Sequence, residues 1–380
     1  MTESPDANEM KGVSASYRSS SSRRQENSGE DAPTRAPNHC RRPLDQYSEV
    51  TLAHGGGGKL TQDLLDDLFL PAFGNATLSQ LADASVLSRP GGRIAFSTDS
   101  YVVQPLEFPG GSIGSLAVHG TINDLAMRGA APIALSVAFV LEEGLSFSLL
   151  RRIVHDLAGA AHDVGVEIVT GDTKVVERGR GDGCYVNTSG IGIVPDGVEL
   201  GCDQVQVGDA VLVSGTLGDH GMAIMSCREG LEFDSTIRSD SAPLYALVKG
   251  MLASGAGIRM LRDPTRGGVA ASLNEICSKR EFGIEIENAA IPVRREVAAA
   301  CEILGFDPLQ VANEGKLVCI VNASDADNLL STMRRINTGV DACRVGTVVE
   351  EHAGQVVTRT EIGGKRILPM PLGQQLPRIC

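Results

Sequence analysis

A chain of 380 residues exceeds what one compact core usually encloses and suits two domains of ordinary size. With 42% apolar and 21% charged residues and no apolar run long enough to span a bilayer, it reads as a soluble globular protein with no membrane partner. A net charge of −13 excludes a broad polyanion-binding surface and so nucleic acid, and nine scattered cysteines without a Cys-x-x-Cys pair point to reduced thiols in the cytoplasm.

Residues 1–47 combine a run of serines at 19–22 with several arginines and almost no large aliphatic side chains. They bury too little surface to offset ordering entropy and are expected to form a disordered extension. They also lack the apolar core of a secretory leader.

From residue 48 onward short β-rich runs alternate with longer helical ones, the pattern of an α/β domain. The pattern predicts a strand at 93–96, a helix at 113–127 and a strand at 133–140. Leu150, Ile153, Val154, Leu157, Ala161 and Val164 then mark one face of a helix, and 166–169 and 185–194 return to strand. A turn-rich stretch at 195–208 divides an N-terminal domain, 48–200, from a C-terminal one, 201–368. Beyond it, strands are predicted at 210–214 and 317–321 and helices at 218–228, 242–253 and 267–278. The last twelve residues, 369–380, hold three prolines and no periodicity, so they should run extended over the surface or into solvent as a mobile tail.

Gly55, Gly56, Gly57 and Gly58, followed by Lys59, let backbone N–H groups approach an anion closely, with phosphate the natural ligand. The P-loop pattern fails, because Ala53 and Leu60 stand where Gly and Ser or Thr are needed. The same glycines also suit a flexible linker. Asp99, Asp124 and Asp172 recur near predicted strand ends, where α/β sheets gather ligands. Together they suit Mg²⁺, which takes one or two protein oxygens and keeps phosphates and waters for the rest. Singly, each is equally a turn or helix cap. Asp263-Pro264-Thr265-Arg266-Gly267-Gly268 opens a helix and is another phosphate or metal position. Glu314, in Ala-Asn-Glu-Gly-Lys before a strand, offers a possible base, or only a turn. Cys380 is the last residue rather than fourth from the end, which excludes prenylation. A thiol on a flexible tail suits a carrier that visits one site after another; an incidental surface thiol is the alternative.

Taken together, His54-Gly55-Gly56-Gly57-Gly58-Lys59, Ser97-Thr98-Asp99-Ser100, Asn123-Asp124, Gly171-Asp172-Thr173-Lys174, Arg262-Asp263-Pro264-Thr265-Arg266-Gly267-Gly268, Asn313-Glu314-Gly315 and Leu376-Pro377-Arg378-Ile379-Cys380 closely resemble the HypE family of hydrogenase maturation factors. The resemblance runs nearly continuously over 50–380. Its Pro-Arg-Ile-Cys ending separates the family from relatives in the aminoimidazole-ribonucleotide synthetase and selenophosphate synthetase superfamily, which share the nucleotide site and not the tail.

The resemblance implies a two-domain α/β (α+β) fold with mixed sheets flanked by helices, and a carbamoyl dehydratase. A carbamoyltransferase, HypF, would load a carbamoyl group on Cys380, and ATP would drive its dehydration to a thiocyanate. A carboxamide oxygen is a poor leaving group; phosphoryl transfer to it gives an isoimidate that can expel phosphate. By position in the motifs, Asp99, Asp124 and Asp263 would hold Mg²⁺ and the ATP phosphates, supported by the glycine loop, Lys59, Asp172 and Thr173. Lys174 and Glu314 would deprotonate the carbamoyl nitrogen. The cyanide would leave for a scaffold complex resembling HypC with HypD and become an iron ligand of a nickel-iron hydrogenase. A homodimer formed through N-terminal-domain sheets is implied as well. The N-terminal extension has no family counterpart, and His119 stands where a small residue or Cys is expected. Two rival readings remain: a non-enzymatic, nucleotide-switched carrier, and a small-molecule kinase or synthetase of the same superfamily.

Overall fold

The computed structural model describes residues 44, 47–51, 54, 59–75, 92–230, 237–278, 280–360, 362–371, 376 and 378–380. Residues 1–43 and the glycine run at 55–58 lie outside the described residues. Leu44 and Tyr47, counted above with the extension, pack in or against the apolar core. The Leu44 N–H donates to Asp67 at 3.0 Å.

Helix α1 (Lys59–Leu64) continues through a π-helical turn into α2 (Leu70–Phe73), and Phe69 in that turn stacks on Phe139. The N-terminal half then supplies β1 (Arg93–Tyr101), the short ribbon of β2 (Glu107–Phe108) and β3 (Gly111–Ser112), α3 (Ile113–Met127), β4 (Ala131–Glu142), α4 (Phe147–Val164), β5 (Glu167–Val176) and β6 (Cys184–Val194). The predicted apolar face of α4 is the one buried: Leu150, Ile153, Val154 and Leu157 are wholly enclosed, each stabilising by about 2 kcal/mol relative to exposure. Gly165, at φ 76°, ends the helix in the left-handed conformation.

Four of these strands form one sheet in the order β1-β6-β4-β5, antiparallel except for the β4–β5 pair that α4 connects. Helices α3 and α4 cover one face. The register sets Asp99, Thr188, Val137 and Gly171 in one line across the sheet, on the helix side. One residue along, Ser100, Asn187, Ala138 and Asp172 form the neighbouring line on the opposite face. No described element covers that face, where Ile94 and Phe96 are 71% and 67% exposed.

The C-terminal half contains β7 (Ala210–Val213), α5 (Asp219–Glu229), α6 (Tyr245–Ala253), β8 (Ile258–Arg262), α7 (Gly268–Cys277), β9 (Gly283–Glu287), α8 (Arg295–Leu304), β10 (Val318–Val321), α9 (Ala326–Met333), β11 (Cys343–Val349), β12 (Val356–Arg359) and β13 (Lys365–Leu368). Its seven strands are ordered β13-β12-β9-β11-β7-β10-β8, and β7 and β10 are buried on both faces. Helix α3 is enclosed nearly all round because it lies between the halves: Ile122 packs in the first core, Ala126 and Met127 in one built mainly from the second half. Residues 42–380 accordingly form one compact unit. The chain end joins it, since Leu376 and Ile379 are 5% and 1% exposed among Met222, Ala223 and Val311. The chain tip, expected to run extended over the surface or into solvent, is seated on the protein by two apolar residues, and a pair carries no periodicity to read.

Candidate active site

Asp99 lies within β1 rather than beyond a strand end, on the helix side, where α3 passes over it. Gly120 permits the close approach: a Cβ there would stand 2.1 Å from the Tyr101 hydroxyl. Asp99 accepts from Thr121 at 3.1 Å, and Asp124, one turn further along α3, accepts from Ser97 at 2.5 Å. From the other half, Asp263 follows β8, and the chain turns into α7 through Gly267 and Gly268, at φ 74° and 62°. A Cβ on Gly268 would meet the Leu309 and Val311 carbonyls at 2.5 and 2.6 Å, so glycine is required by both conformation and space.

Two asparagines brace these loops. Asn313 accepts from the Gly218 N–H at 2.7 Å and donates to the Pro264 and Val311 carbonyls at 3.1 and 3.0 Å. Asn123 donates to the carbonyls of Glu314 and Ala242, at 3.0 and 3.1 Å, and accepts from the Leu244 N–H at 2.8 Å. Glu314 is thereby fixed with its own N–H on Asp240 at 3.0 Å, while its Oε1 is buried without a hydrogen-bond partner.

Asp99, Tyr101, Asp124, Asp263, Thr265, Arg266, Glu314 and Cys380 line one small cavity of about 70 Å³. Burial, then the charge of Asp124, raises Asp99 to about 6 and Asp263 to about 7. Glu314 is raised well above the usual carboxylate range by burial and then by Asp263, Asp240 and Asp99. The Cys380 thiol is pushed up to about 12, chiefly by burial and next by Glu314. The cleft thus concentrates carboxylates whose negative charge is poorly offset, with Arg266 acting to lower Asp99 and Glu314. Such a donor set fits a hard divalent cation. Among the described residues no three side chains form a closed metal-binding group.

The Gly-Asp-Thr-Lys motif does not join this cluster within the chain. Asp172 and Lys174 lie on edge strand β5 with exposed side chains, 2.6 Å from each other, and face the uncovered side of the sheet. Three strand spacings, about 14 Å, separate that strand from β1. Thr173 points to the other face, beside Phe139. Lys174's hydrogen bond holds Asp172 below its ordinary value, the opposite of the cleft carboxylates. Gly55, Gly56, Gly57 and Gly58 are outside the described residues, and Lys59 opens α1. His119 bonds Ser241 at 2.9 Å, and burial lowers its pKa to about 4, so it stays neutral. Tyr101, Asp240 and His220 carry no signal in the sequence that marks them for this site, although Tyr101 directly follows the Ser-Thr-Asp-Ser motif.

The N-terminal domain of AIR synthase related proteins matches residues 81–194, and the C-terminal domain of the same group matches 206–359. Fold and cleft together define a two-domain protein of this class. The chain is 53% identical over 341 residues to the carbamoyl dehydratase HypE of Cupriavidus necator, spanning 89% of this chain and 97% of that protein. It is 46% identical to a crystallised hydrogenase maturation protein HypE in complex with ATP, with a TM-score of 0.83 and 87% and 99% of the two chains covered. To a chain from the crystal structure of a HypE–HypF complex the identity is again 46%, the TM-score 0.71 and the coverage 81% and 99%. This chain belongs to the HypE family.

Proposed function

We propose that the protein dehydrates an S-carbamoyl group on its own Cys380 to a thiocyanate at the expense of ATP, supplying cyanide for the iron of a nickel-iron hydrogenase. The observation that carries this reading is the position of Cys380, whose thiol lies in the same cleft as Asp99, Asp263 and Glu314. A carbamoyl group there would meet Glu314, whose raised affinity for protons suits a base that takes one from nitrogen. As the carbonyl oxygen accepts the γ-phosphoryl group of ATP and ADP leaves, one N–H proton is lost. Loss of the second proton with expulsion of phosphate completes the nitrile.

Asp99, Asp124 and Asp263 would hold Mg²⁺, which neutralises phosphate charge when bound. The chain's own contribution is to orient the thiol, exclude water from the cleft and receive the protons. The glycine loop and Lys59 are proposed to support the ATP phosphates.

Lys174, with Asp172 and Thr173, serves a cleft only if a second copy presents it. The uncovered sheet face with Ile94 and Phe96 supports a homodimer that brings this about. On this reading 48–200 is the nucleotide-binding and dimerisation domain, 201–368 completes the cleft, and 369–380 carries the substrate. HypF is the proposed carbamoyl donor, supported by the HypE–HypF complex of a relative, and a HypC–HypD scaffold the proposed acceptor. No described helix is long and apolar enough to cross a membrane, and the cytoplasm is the proposed location.

The test is mass spectrometry of the C-terminal peptide after carbamoylation. It should lose one water with Mg-ATP and none without, and retention of the water in both cases would end the proposal. Full turnover of a free substrate by Cys380→Ala would instead favour a small-molecule kinase.

A further inference from the structure

One main-chain oxygen of each residue of the final tripeptide is engaged by the protein. The oxygen of Arg378 accepts from the Gln104 N–H at 3.3 Å and from the Arg228 guanidinium. That of Ile379 pairs with His220 Nε2 at 2.8 Å, and that of Cys380 accepts from the Val102 N–H at 3.1 Å. Arg228 also donates to the Gln104 carbonyl at 2.5 Å, tying α5 to the strand of chain that receives the tail. Arg378 bends through a left-handed backbone, at φ 53°, which sends its side chain away from the cleft to the Val102 carbonyl at 3.1 Å and Asp182 at 2.8 Å.

His220 is wholly buried on α5 and belongs to no part of the proposed chemistry. Its Nδ1 lies 2.8 Å from Ser239 Oγ, which already accepts from the Ser241 N–H at 3.0 Å. The serine proton is therefore directed at Nδ1, leaving Nε2–H to donate to Ile379. Phe108 meets the ring edge-on at 5.6 Å and fixes its plane. A slip of one residue along this track would move the thiol by about 3.3 Å, out of reach of the cleft.

We propose that His220, Arg228 and Asp182 are a receptor for Arg378-Ile379-Cys380, positioning residues that hold the thiol in the cleft for dehydration and release it for loading and for cyanide transfer. The proposal rests on Cys380 being the carrier. The receptor reads main-chain oxygens and one arginine, so it accepts the tail whether or not the sulfur carries a carbamoyl group. Release costs a charge-assisted hydrogen bond from Arg228, the hydrogen bonds from Gln104, Val102 and His220, one ion pair and two apolar anchors, with no covalent link to break.

The experiment measures alkylation of Cys380 in the full-length protein by mass spectrometry of the C-terminal peptide, and single-turnover dehydration of the carbamoylated protein with Mg-ATP. His220→Ala should raise the alkylation rate about tenfold and slow dehydration about tenfold, with the KM for ATP unchanged. His220→Gln, which keeps an N–H near the Ile379 carbonyl, should recover part of both. Arg378→Ala and Asp182→Asn lie at the surface, so they test the same receptor even where the buried substitution prevents folding; both should shift in the same direction. Unchanged alkylation in these variants would overturn the receptor. Faster alkylation with normal dehydration would overturn its positioning role. Should the wild-type carbamoylated protein keep its water, the carrier reading falls, and the alkylation rates alone decide whether the receptor exists.

Discussion

Two acidic regions of the N-terminal sheet, one residue apart in register, behave in opposite ways. Asp99 faces α3 in an enclosed cleft with Asp124, Asp263 and Glu314, and burial raises its pKa to about 6. Asp172 faces the uncovered side of the same sheet, and its bond to Lys174 lowers its pKa. A carboxylate in the first place is held at a cost that a cation or a proton relieves. One in the second is already neutralised by its neighbour and stays solvated. The lesson is that these motifs need not meet in one chain: Asp99, Asp124, Asp263 and Glu314 converge with Cys380, while Asp172 and Lys174 stand on an exposed sheet face.

The sharpest way to break this comparison is at Glu314. Glu314→Gln keeps the shape and removes the proposed base, so dehydration should fall by about 10²–10⁴-fold. Loading of Cys380 should continue, both being read from the mass of the C-terminal peptide. Lys174→Ala should lose roughly a hundredfold on the same assay. Mixing it with Cys380→Ala, itself inactive, should restore part of the turnover, because the Cys380→Ala chain presents an intact Lys174 to the cleft of the Lys174→Ala chain, whose own Cys380 then reacts; a mixture that stays inactive would mean that Lys174 serves no neighbouring cleft.

Phe96→Glu tests the surface that the second region requires. A buried unpaired charge costs about 3 kcal/mol or more, which should weaken dimerisation by at least about a hundredfold in analytical ultracentrifugation. The smallest effect concerns the tail. Burial lowers the pKa of His220, with Asp240 and the Ile379 carbonyl opposing and Arg228 adding to the shift; Ser239 and Phe108 complete its surroundings. The folded protein therefore binds fewer protons at His220 than the unfolded chain, so this contribution to stability is fully present above the ordinary histidine value of about 6.5 and is lost as pH falls below it. The thermal unfolding midpoint should drop between pH 7.5 and 5.5 in wild type and drop less in His220→Gln; equal drops would remove His220 as the cause.

Most of the secondary structure was legible in the sequence because periodicity reports local geometry. The 113–127 helix agrees at both ends, and the apolar stripe from Leu150 to Ala161 is buried on α4 as expected. The predicted strands are short where polar residues take over: β1 runs on to Tyr101 and β5 to Val176, since their later residues face the cleft or the uncovered side.

By itself the sequence determined the alternation of strands and helices, the residue types able to handle phosphate and a divalent cation, and a thiol at the chain end. Only the tertiary structure decided which of them meet. Strand register, a property of pairing between segments distant in the chain, placed Asp99 inside and Asp172 outside. Leu376, Ile379 and His220, too few and too distant to form a pattern, seat the chain tip against the protein.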